Sequence, residues 1–191
     1  MLAPAHVGHL AMLRSLIRKS AAEGSFDRHL AAESPEAEDF FAKLKRALVT
    51  GYFIEEDRRT GKLDTVSVPG YVFWPEGRHS GMTPTGFGLF RALEEGGYEL
   101  WLAGLEFGER GMGHGRSLLA ALFATPPGQK TWVVRIPRDS RYIATVRHLI
   151  GAFGFEDVGE TSRLRWFVRS GAPASLDSRI RGAMQARVQA S

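Results

Sequence analysis

Cysteine is absent from the 191 residues of this chain. Disulfide bonds, thiolate metal sites and a cysteine nucleophile are therefore excluded. A chain without cysteines is typical of a reducing compartment, so we expect a cytoplasmic protein. The two histidines near the amino end, His6 and His9, have no third ligand beside them, and protein zinc sites use at least three. We therefore expect no bound metal.

Long apolar runs are absent as well. No stretch approaches the ~20 apolar residues that a membrane-spanning helix requires, so we expect no membrane partner. Residues 1–20 carry no early basic segment followed by a long apolar one, and we expect no secretory signal. The chain also has no internal repeat and no low-complexity tract.

The chain does contain enough apolar residues, 43%, for a substantial core. Its length argues for one domain, which we place at residues 1–170, followed by a linker and a C-terminal helix at residues 171–191. The apolar residues of that helix recur at a spacing of four: Leu176, Ile180, Met184 and Val188. Such a stripe docks on its own domain or on a second subunit, so a homodimer is among the expectations.

Positive charge is concentrated at the carboxyl end of a chain whose net charge is only +4. The last part of the chain has one acid, Asp177, against six arginines: Arg163, Arg165, Arg169, Arg179, Arg181 and Arg187. A basic segment attracts phosphates, nucleic acid or an acidic partner. A solvated surface explains the same pattern, and we do not favour a nucleic-acid partner.

Hydrophobic periodicity predicts a mixed order of helices and strands. Helical patterns cover residues 6–22, 35–48, 87–95, 116–125 and 142–153 and the segment that follows Ser175. Strand patterns cover residues 49–56, 63–74, 98–106, 131–136, 155–160 and 163–169. The strand–helix–strand unit at residues 98–136 implies a right-handed parallel crossover, and hairpins beside it make the sheet mixed. The predicted fold class is α/β, with a central mixed sheet flanked by helices.

A glycine-rich turn separates the strand and the helix of this central unit. Gly111, Gly113 and Gly115 alternate there, which allows a ligand to approach the backbone closely. The following helix directs its unpaired N–H groups and the positive end of its dipole to the same place. The segment therefore predicts a site for a phosphate or diphosphate, with a purely structural glycine turn as the alternative.

The spacing of the turn distinguishes among phosphate-binding motifs. A P-loop would need Gly-Lys-Ser/Thr, and a dinucleotide fingerprint would need one more residue between its last two glycines. Arg110-x-x-Gly113-x-Gly115 instead resembles the acyl-coenzyme A signature of the GNAT superfamily of N-acyltransferases. A second point of similarity is Gly154-Phe155 after the predicted helix at residues 142–153. Two departures are the lack of a clear first strand and an extra segment, Gly77 to Gly97, between the third and fourth strands.

The resemblance implies a GNAT-like fold that uses acetyl-coenzyme A, or another acyl-coenzyme A, as cosubstrate. It assigns the pyrophosphate to the turn, with help from the Arg110 and Arg116 side chains. It assigns the pantetheine arm and the oxyanion to backbone N–H groups near Leu105 and Phe107. The N–H groups expected to hold the pyrophosphate belong to Gly111, Met112, Gly113, His114, Gly115 and Arg116. We expect the His114 side chain itself to be exposed.

Acyl transfer to an amine needs a base, because a free lysine-type amine has a pKa of about 10.4. Glu99 begins the central strand, where the histone-acetyltransferase branch of the resembled family has its general base. Glu106 follows the same strand beside the expected thioester and is an equal candidate. A polar residue at the start of a strand is the structural alternative for Glu99.

The leaving thiolate needs a proton or a stabilising partner. The resembled family often uses a tyrosine four residues before its Gly-Phe, and this chain has Ile150 there. Ile143 replaces the family's usual asparagine. Tyr142, Ser140 and His148 lie nearby in sequence, but none matches the pattern, and we expect them to be structural or exposed.

Together these features predict an N-acyltransferase that moves an acyl group from acyl-coenzyme A to a primary amine. One alternative is a non-catalytic, coenzyme-binding or regulatory module of the same fold. The other is a toxin-like acyltransferase acting on aminoacyl-tRNA, suggested by the basic carboxyl end. Sequence alone leaves the acceptor and the acyl chain length open.

Overall fold

A computed structural model of the chain describes residues 1–56, 61–78 and 80–188. The strands within these residues are β1 Leu2–Pro4, β2 Tyr52–Glu56, β3 Leu63–Ser67, β4 Gly70–Phe73, β5 Gly86–Ala92, β6 Tyr98–Leu105, β7 Thr131–Pro137, β8 Phe155–Glu160 and β9 Leu164–Arg169. The helices are α1 Leu10–Ala22, α2 Pro35–Thr50, α3 His114–Ala124, α4 Pro126–Gln129, α5 Ile143–Gly151 and α6 Ala174–Val188. Short 3-10 turns occupy Val7–His9, Arg28–Leu30 and Phe107–Glu109.

Seven of the described strands form one sheet in the order β1-β4-β5-β6-β7-β9-β8. The neighbouring strands are antiparallel except for β6 and β7, which are parallel and are connected through α3. The predicted strand–helix–strand crossover and the predicted hairpin of β8 and β9 are both confirmed. The fold class, an α/β fold with a mixed sheet, is confirmed with them.

Helices cover both faces of this sheet. On one face Phe90, Leu100 and Val134 join the apolar residues of α3 and α5 in the largest buried cluster. On the other face Phe87 and Leu89 pack against α1 and α2. Burial of apolar surface on both sides explains why the central strands are almost wholly apolar, since each residue meets a helix whichever way it points.

The last helix, α6, lies on the same face as α1 and α2. Its Leu176 and Ile180 are buried against Val133 and Val168, whereas the neighbouring Val134 belongs to the opposite face. These two contacts confirm the prediction that this helix docks on its own domain. The side chains of the other two members of the predicted stripe, Met184 and Val188, lie outside the described residues.

Local signals determine where α2 begins and ends. Ser34 precedes it, and its hydroxyl accepts a hydrogen bond of 3.1 Å from the Ala37 N–H, as a serine N-cap does. Pro35 occupies the first helical position, where a missing N–H costs nothing. Gly51 ends the helix at a φ of +81°, and its N–H donates to the Ala47 carbonyl at 2.7 Å.

The helix predicted at residues 87–95 is wrong, because the structure has strand β5 there, between β4 and β6. Two glycines of β5 explain the difference. A Cβ at Gly88 would lie 2.5 Å from Leu122 Cδ1, and one at Gly86 would lie 2.7 Å from Leu105 Cδ2. Glycine at these two positions lets the Leu122 and Leu105 side chains pack directly against the backbone of β5. The segment Gly77 to Gly97 thus supplies a central strand rather than a simple insertion.

Two further strand predictions change. The expected absence of a first strand is wrong, since β1 pairs with β4 from Leu2 to Pro4. The strand predicted at residues 63–74, where Pro69-Gly70 predicts a bulge or an edge position, is two strands, because β3 pairs only with β2 in a separate ribbon while β4 joins the main sheet. The polar and glycine residues at 57–62 predict a hairpin turn between β2 and β3, and residues 57–60 of that turn lie outside the described residues.

Candidate active site

A gap opens between the two parallel strands at the centre of the sheet. Strands β6 and β7 pair over Tyr98 to Leu100. Beyond that point β6 continues beside β5 as far as Leu105, and β7 continues beside β9 as far as Pro137. Because each strand follows its outer neighbour, the pair separates toward its carboxyl ends. Ligands of open α/β sheets bind outside the carboxyl ends of strands, at such a divergence.

A β-bulge interrupts the pairing of β6 with β5 beside this gap. Leu89 and Phe90 of β5 pair with Leu102 and Leu100, which leaves Trp101 as an extra residue in β6. Farther along, the Glu106 N–H donates to the Thr85 carbonyl on the β5 side.

Successive residues of a strand direct their backbone groups to opposite edges, so the Leu105 N–H and carbonyl face away from β5, toward the gap. The Leu105 carbonyl accepts two hydrogen bonds of 3.3 Å from Arg110, which confirms that direction. The gap therefore has a strand edge with backbone donors and acceptors directed into it.

The glycine turn lies at the end of this strand edge. Gly111 and Gly113 both have a φ of +81°, and Gly113 is the N-cap of α3. A Cβ at either position would meet no atom within 4 Å, so the glycines serve backbone conformation rather than close packing.

Within the described residues, the N–H groups of Gly111 through Gly115 have no protein acceptor, whereas the Arg116 N–H donates to the Gly113 carbonyl at 3.0 Å. Five of the six predicted N–H donors therefore remain available at the amino end of a helix. Such a cluster of N–H groups favours an anion.

The Arg110 side chain lies across the mouth of the gap. Its Nη1 donates to Glu23 Oε2 at 2.5 Å, at the end of α1, and to the Tyr142 hydroxyl at 3.2 Å, just before α5. Its Nη2 approaches the Ser20 hydroxyl at 3.4 Å. These contacts, with those to Leu105, occupy its guanidinium with protein groups on three sides. Sequence reasoning expected this side chain to help bind phosphate. Arg116, the other arginine of the turn, is exposed.

The buried carboxylate of Glu109 contacts the start of α3 and the loop before β5. Glu109 is 6% exposed, and its Oε1 lies 2.5 Å from Arg78 Nη2 in the loop before β5. Its Oε2 lies 2.9 Å from His114 Nδ1 at the start of α3. The expectation of an exposed His114 side chain is wrong, because contact with Glu109 leaves it 24% exposed. The sequence offers Glu109 only as one more acid near the turn and does not indicate its pairing with Arg78, which is 31 positions away.

The two candidate bases have opposite surroundings. Glu99 is 3% exposed, and Arg135 holds both of its oxygens, with Nη2 to Oε2 at 2.7 Å and Nε to Oε1 at 2.5 Å. The Arg135 guanidinium also lies 5.1 Å from the centre of the Trp166 ring. Glu106 is exposed, and it forms no ion pair among the described residues. Glu99 lies where β6 and β7 still pair, and Glu106 lies at the open end.

Tyr142, which the sequence predicts to be structural or exposed, is a neighbour of the gap. The Tyr142 hydroxyl accepts hydrogen bonds from Arg110 and Arg141, which leaves its own proton free to be donated. Ile150 is 1% exposed within the core, so the position of the resembled family's tyrosine is structural here. Ser140 is buried, and its hydroxyl lies 3.4 Å from the Tyr142 N–H. The place of Tyr142, after the strand that flanks the gap, is the signal that could have found it.

The described ranges contain no helix long and apolar enough to cross a membrane. They also contain no group of three or more side chains able to hold a metal ion. His6 and His9 instead close the first turn together, since the His6 N–H donates to His9 Nδ1 at 3.2 Å.

Solved structures resemble this arrangement over most of its length. An acetyltransferase of the GNAT family from Staphylococcus aureus matches with a TM-score of 0.57 at 10% identity, over 88% of this chain and 97% of that chain. The chain has the GNAT acetyltransferase fold. A PaiA N-acetyltransferase from Thermoplasma acidophilum, in complex with coenzyme A, matches with a TM-score of 0.57 at 15% identity, over 88% and 97% of the two chains.

A third similar structure with the GNAT fold is the diaminobutyrate acetyltransferase EctA from Paenibacillus lautus, in complex with L-2,4-diaminobutyric acid and coenzyme A. It matches with a TM-score of 0.53 at 13% identity, over 88% of this chain and 92% of that chain. No protein-family model matches the sequence, and comparison with curated proteins found no match. At these identities the likeness establishes the fold and does not carry over an acceptor.

Proposed function

We propose that this protein is an N-acyltransferase that transfers an acetyl or other acyl group from acyl-coenzyme A to a primary amine. One observation carries the proposal: five N–H groups without protein acceptors, at the start of α3, adjoin a strand edge that faces an open gap. This combination suits a ligand with a diphosphate at one end and an amide-containing arm at the other. Two proteins of similar fold were solved with coenzyme A.

In the proposed complex the diphosphate lies on the turn from Gly111 to Gly115. The pantetheine arm runs along the edge of β6, where the Leu105 N–H faces the gap. Phe107 begins the 3-10 turn between these two regions, and its N–H is a further donor. The thioester then lies deeper in the gap, toward the bulge at Trp101. Backbone donors fixed in this way can stabilise the oxyanion of the tetrahedral intermediate.

We assign the base to Glu106 in preference to Glu99. The Glu106 carboxylate is exposed and forms no ion pair among the described residues, so it is free to accept a proton from an entering amine. Both oxygens of Glu99 are occupied by Arg135, so a proton can reach that carboxylate only if the pair loosens. Glu99 is the second candidate, and its more direct role is to fix the closed end of the gap.

We assign protonation of the leaving thiolate to Tyr142. In the proposed step Glu106 takes one proton from the ammonium group and releases it to water, because an amine of this kind has a pKa of about 10.4. The neutral nitrogen then forms a bond with the thioester carbon and passes its second proton to Glu106. The carbon–sulfur bond then breaks, and the sulfur takes the proton of the Tyr142 hydroxyl, which is later replaced from water. Two arginines donate to this oxygen and thereby stabilise the negative charge that it gains.

Two measurements on the full chain test the proposal. Calorimetric titration with acetyl-coenzyme A should show one site, and a thiol-release assay with a panel of primary amines should show amine-dependent turnover. Binding without turnover of any amine would favour the non-catalytic module. Absence of binding would refute the proposed function.

The aminoacyl-tRNA alternative depends on the basic carboxyl end. Arginines of this segment have partners within the chain, since Arg165 pairs with Asp157, Arg169 donates to the Phe153 carbonyl, and Arg179 pairs with Glu95. These contacts support a structural role for that segment. A steep salt dependence of tRNA binding would reverse this preference.

A further inference from the structure

Arg78 lies in the loop between β4 and β5, at the same end of the sheet as the glycine turn. Strand β5 runs antiparallel to β6, and Gly86 at its start pairs with Leu105 at the end of β6. The loop before β5 therefore lies beside the segment that follows β6 and leads into the turn. An ion pair of 2.5 Å between Arg78 Nη2 and Glu109 Oε1 joins the two segments.

Local contacts hold the backbone of this loop before and after Arg78. The Arg78 N–H donates to the Pro75 carbonyl at 3.2 Å, and Gly77 between them has a φ of +83°, as the third residue of a type II turn does. The buried Trp74 donates from its Nε1 to the Met82 carbonyl at 2.7 Å. The Arg78 side chain therefore extends from a fixed part of the backbone.

The other charges at the turn do not by themselves favour a diphosphate. A diphosphate ester is an anion, and the start of α3 offers it the equivalent of about +0.5 charge. The Glu109 carboxylate, 2.9 Å from the His114 ring, places a negative group at the same end of that helix. The Arg110 charge is paired with Glu23, and Arg116 is exposed, where solvent screens its charge. A further cation beside Glu109 would make the turn favourable for a diphosphate.

Arg78 has donors left for this role. Glu109 holds its Nη2, whereas its Nη1 and Nε form no hydrogen bond with any described residue. The Arg78 side chain is 41% exposed, and that of Glu109 is 8% exposed. Because a guanidinium is planar and rigid, a carboxylate that fixes one nitrogen also restricts the direction of the others. The same carboxyl group contacts His114 at the start of α3, so it alone separates the guanidinium from that residue.

We propose that Arg78 binds the diphosphate of the coenzyme and that Glu109 is the positioning residue that holds Arg78 at the start of α3. The inference rests on the proposed function and adds two residues to its coenzyme site. In the complex the N–H groups of residues 111–115 bind the diphosphate from one side, and Arg78 donates to its oxygens from Nη1 and Nε. Arginine suits this contact because two of its N–H groups can meet one phosphate group in parallel. The loop between β4 and β5 thus supplies a cation in place of Arg110, whose guanidinium is occupied by protein groups.

The test is a double-mutant cycle in which calorimetry measures the dissociation constant of acetyl-coenzyme A. Arg78→Gln removes the cation, and we expect it to weaken binding about tenfold to a hundredfold, as loss of a hydrogen bond to a charged group predicts. The same change leaves the buried Glu109 without its arginine, which can by itself disturb the turn. The cycle therefore repeats Arg78→Gln in a Glu109→Gln protein, in which that carboxylate charge is gone.

The second half of the cycle separates binding from charge neutralisation. If Arg78 binds the diphosphate, Arg78→Gln weakens binding at least tenfold in the Glu109→Gln protein as well, although the melting temperatures of the single and double variants are then similar. If Arg78 only neutralises Glu109, Arg78→Gln leaves the affinity of the Glu109→Gln protein unchanged. That result would overturn the proposal while leaving the transferase assignment intact.

Dephospho-coenzyme A, which lacks the 3′-phosphate, identifies the phosphate that Arg78 binds. An equal loss of affinity for coenzyme A and dephospho-coenzyme A in Arg78→Gln supports the diphosphate, whereas a loss confined to coenzyme A contradicts it. Arg91→Gln alters an arginine that pairs with Glu55 at the far end of β5, and this matched control should bind both coenzymes as wild type does. Failure of the wild type to bind acetyl-coenzyme A would instead remove the proposed function itself.

Discussion

Alanine substitutions in the glycine turn measure the backbone strain at each glycine separately from ligand binding. Gly113 has a φ of +81°, whereas Gly115 lies in α3 outside the left-handed region. A left-handed conformation costs a residue with a Cβ about 1–2 kcal/mol. Because a Cβ at Gly113 would meet no atom within 4 Å, this cost is not increased by a clash. We therefore expect Gly113→Ala to lower the free energy of unfolding by about 1–2 kcal/mol.

Gly115→Ala is the matched control. Its Cβ would lie 3.6 Å from Leu149 Cδ1 and 3.9 Å from Leu105 Cδ1, which is ordinary contact. Alanine is a better helix former than glycine by about 0.5–1 kcal/mol, so this variant should be as stable as wild type or slightly more stable. In thermal unfolding, 1 kcal/mol corresponds to about 2–4 °C for a chain of this length. Equal melting temperatures of the two variants would refute the assigned turn conformation.

Charge at the same position tests the bound group. Gly115→Glu and Gly115→Gln add side chains of nearly equal size that differ by one negative charge. Two unit charges about 4 Å apart at a protein surface interact by about 4 kcal/mol, and screening reduces this. We expect the glutamate variant to bind acetyl-coenzyme A at least tenfold more weakly than the glutamine variant, with the difference shrinking at high salt. Equal dissociation constants in calorimetry would mean that no diphosphate lies at this turn.

Three further outcomes are expected. Arg135→Met should lower the free energy of unfolding in urea by about 3–5 kcal/mol, because it leaves the buried Glu99 charge unpaired; a loss below 1 kcal/mol would contradict this. Tyr142→Phe should reduce kcat about a hundredfold without weakening acetyl-coenzyme A binding, and an unchanged kcat would remove it as the acid. Burial, and then the neighbouring His6, lower the pKa of His9 from its ordinary 6.5. His9 therefore stays neutral in the folded protein below that pH, where the unfolded chain binds a proton, and its contribution to stability is lost as the pH falls below 6.5. An NMR titration of His9 checks the direction of the shift.

The parts of the site that follow from contiguous residues could be predicted from sequence. The glycine turn before α3 is one, because glycine spacing and the start of a helix are local properties of the backbone. The beginning of α2 at Ser34 is another, since a cap needs residues only three positions apart. Strand β5 could not be predicted from its own residues. Its glycines are needed because the side chains of Leu105 and Leu122, which are distant in sequence, pack against them.

Tertiary structure alone decided which groups face the gap. Arg110 meets Glu23 across 87 positions and Tyr142 across 32, and Arg135 reaches Glu99 across 36. Nothing in the local sequence distinguishes these residues from exposed charges, because a polar side chain at the surface and one in a buried pair can follow the same local pattern. Their partners are chosen by how β6 and β7 separate, and that separation depends on the outer strands that each of them follows. The sequence thus determined a glycine turn at the start of a helix, and the folded sheet determined which acids, arginines and hydroxyl group lie around the gap beside it.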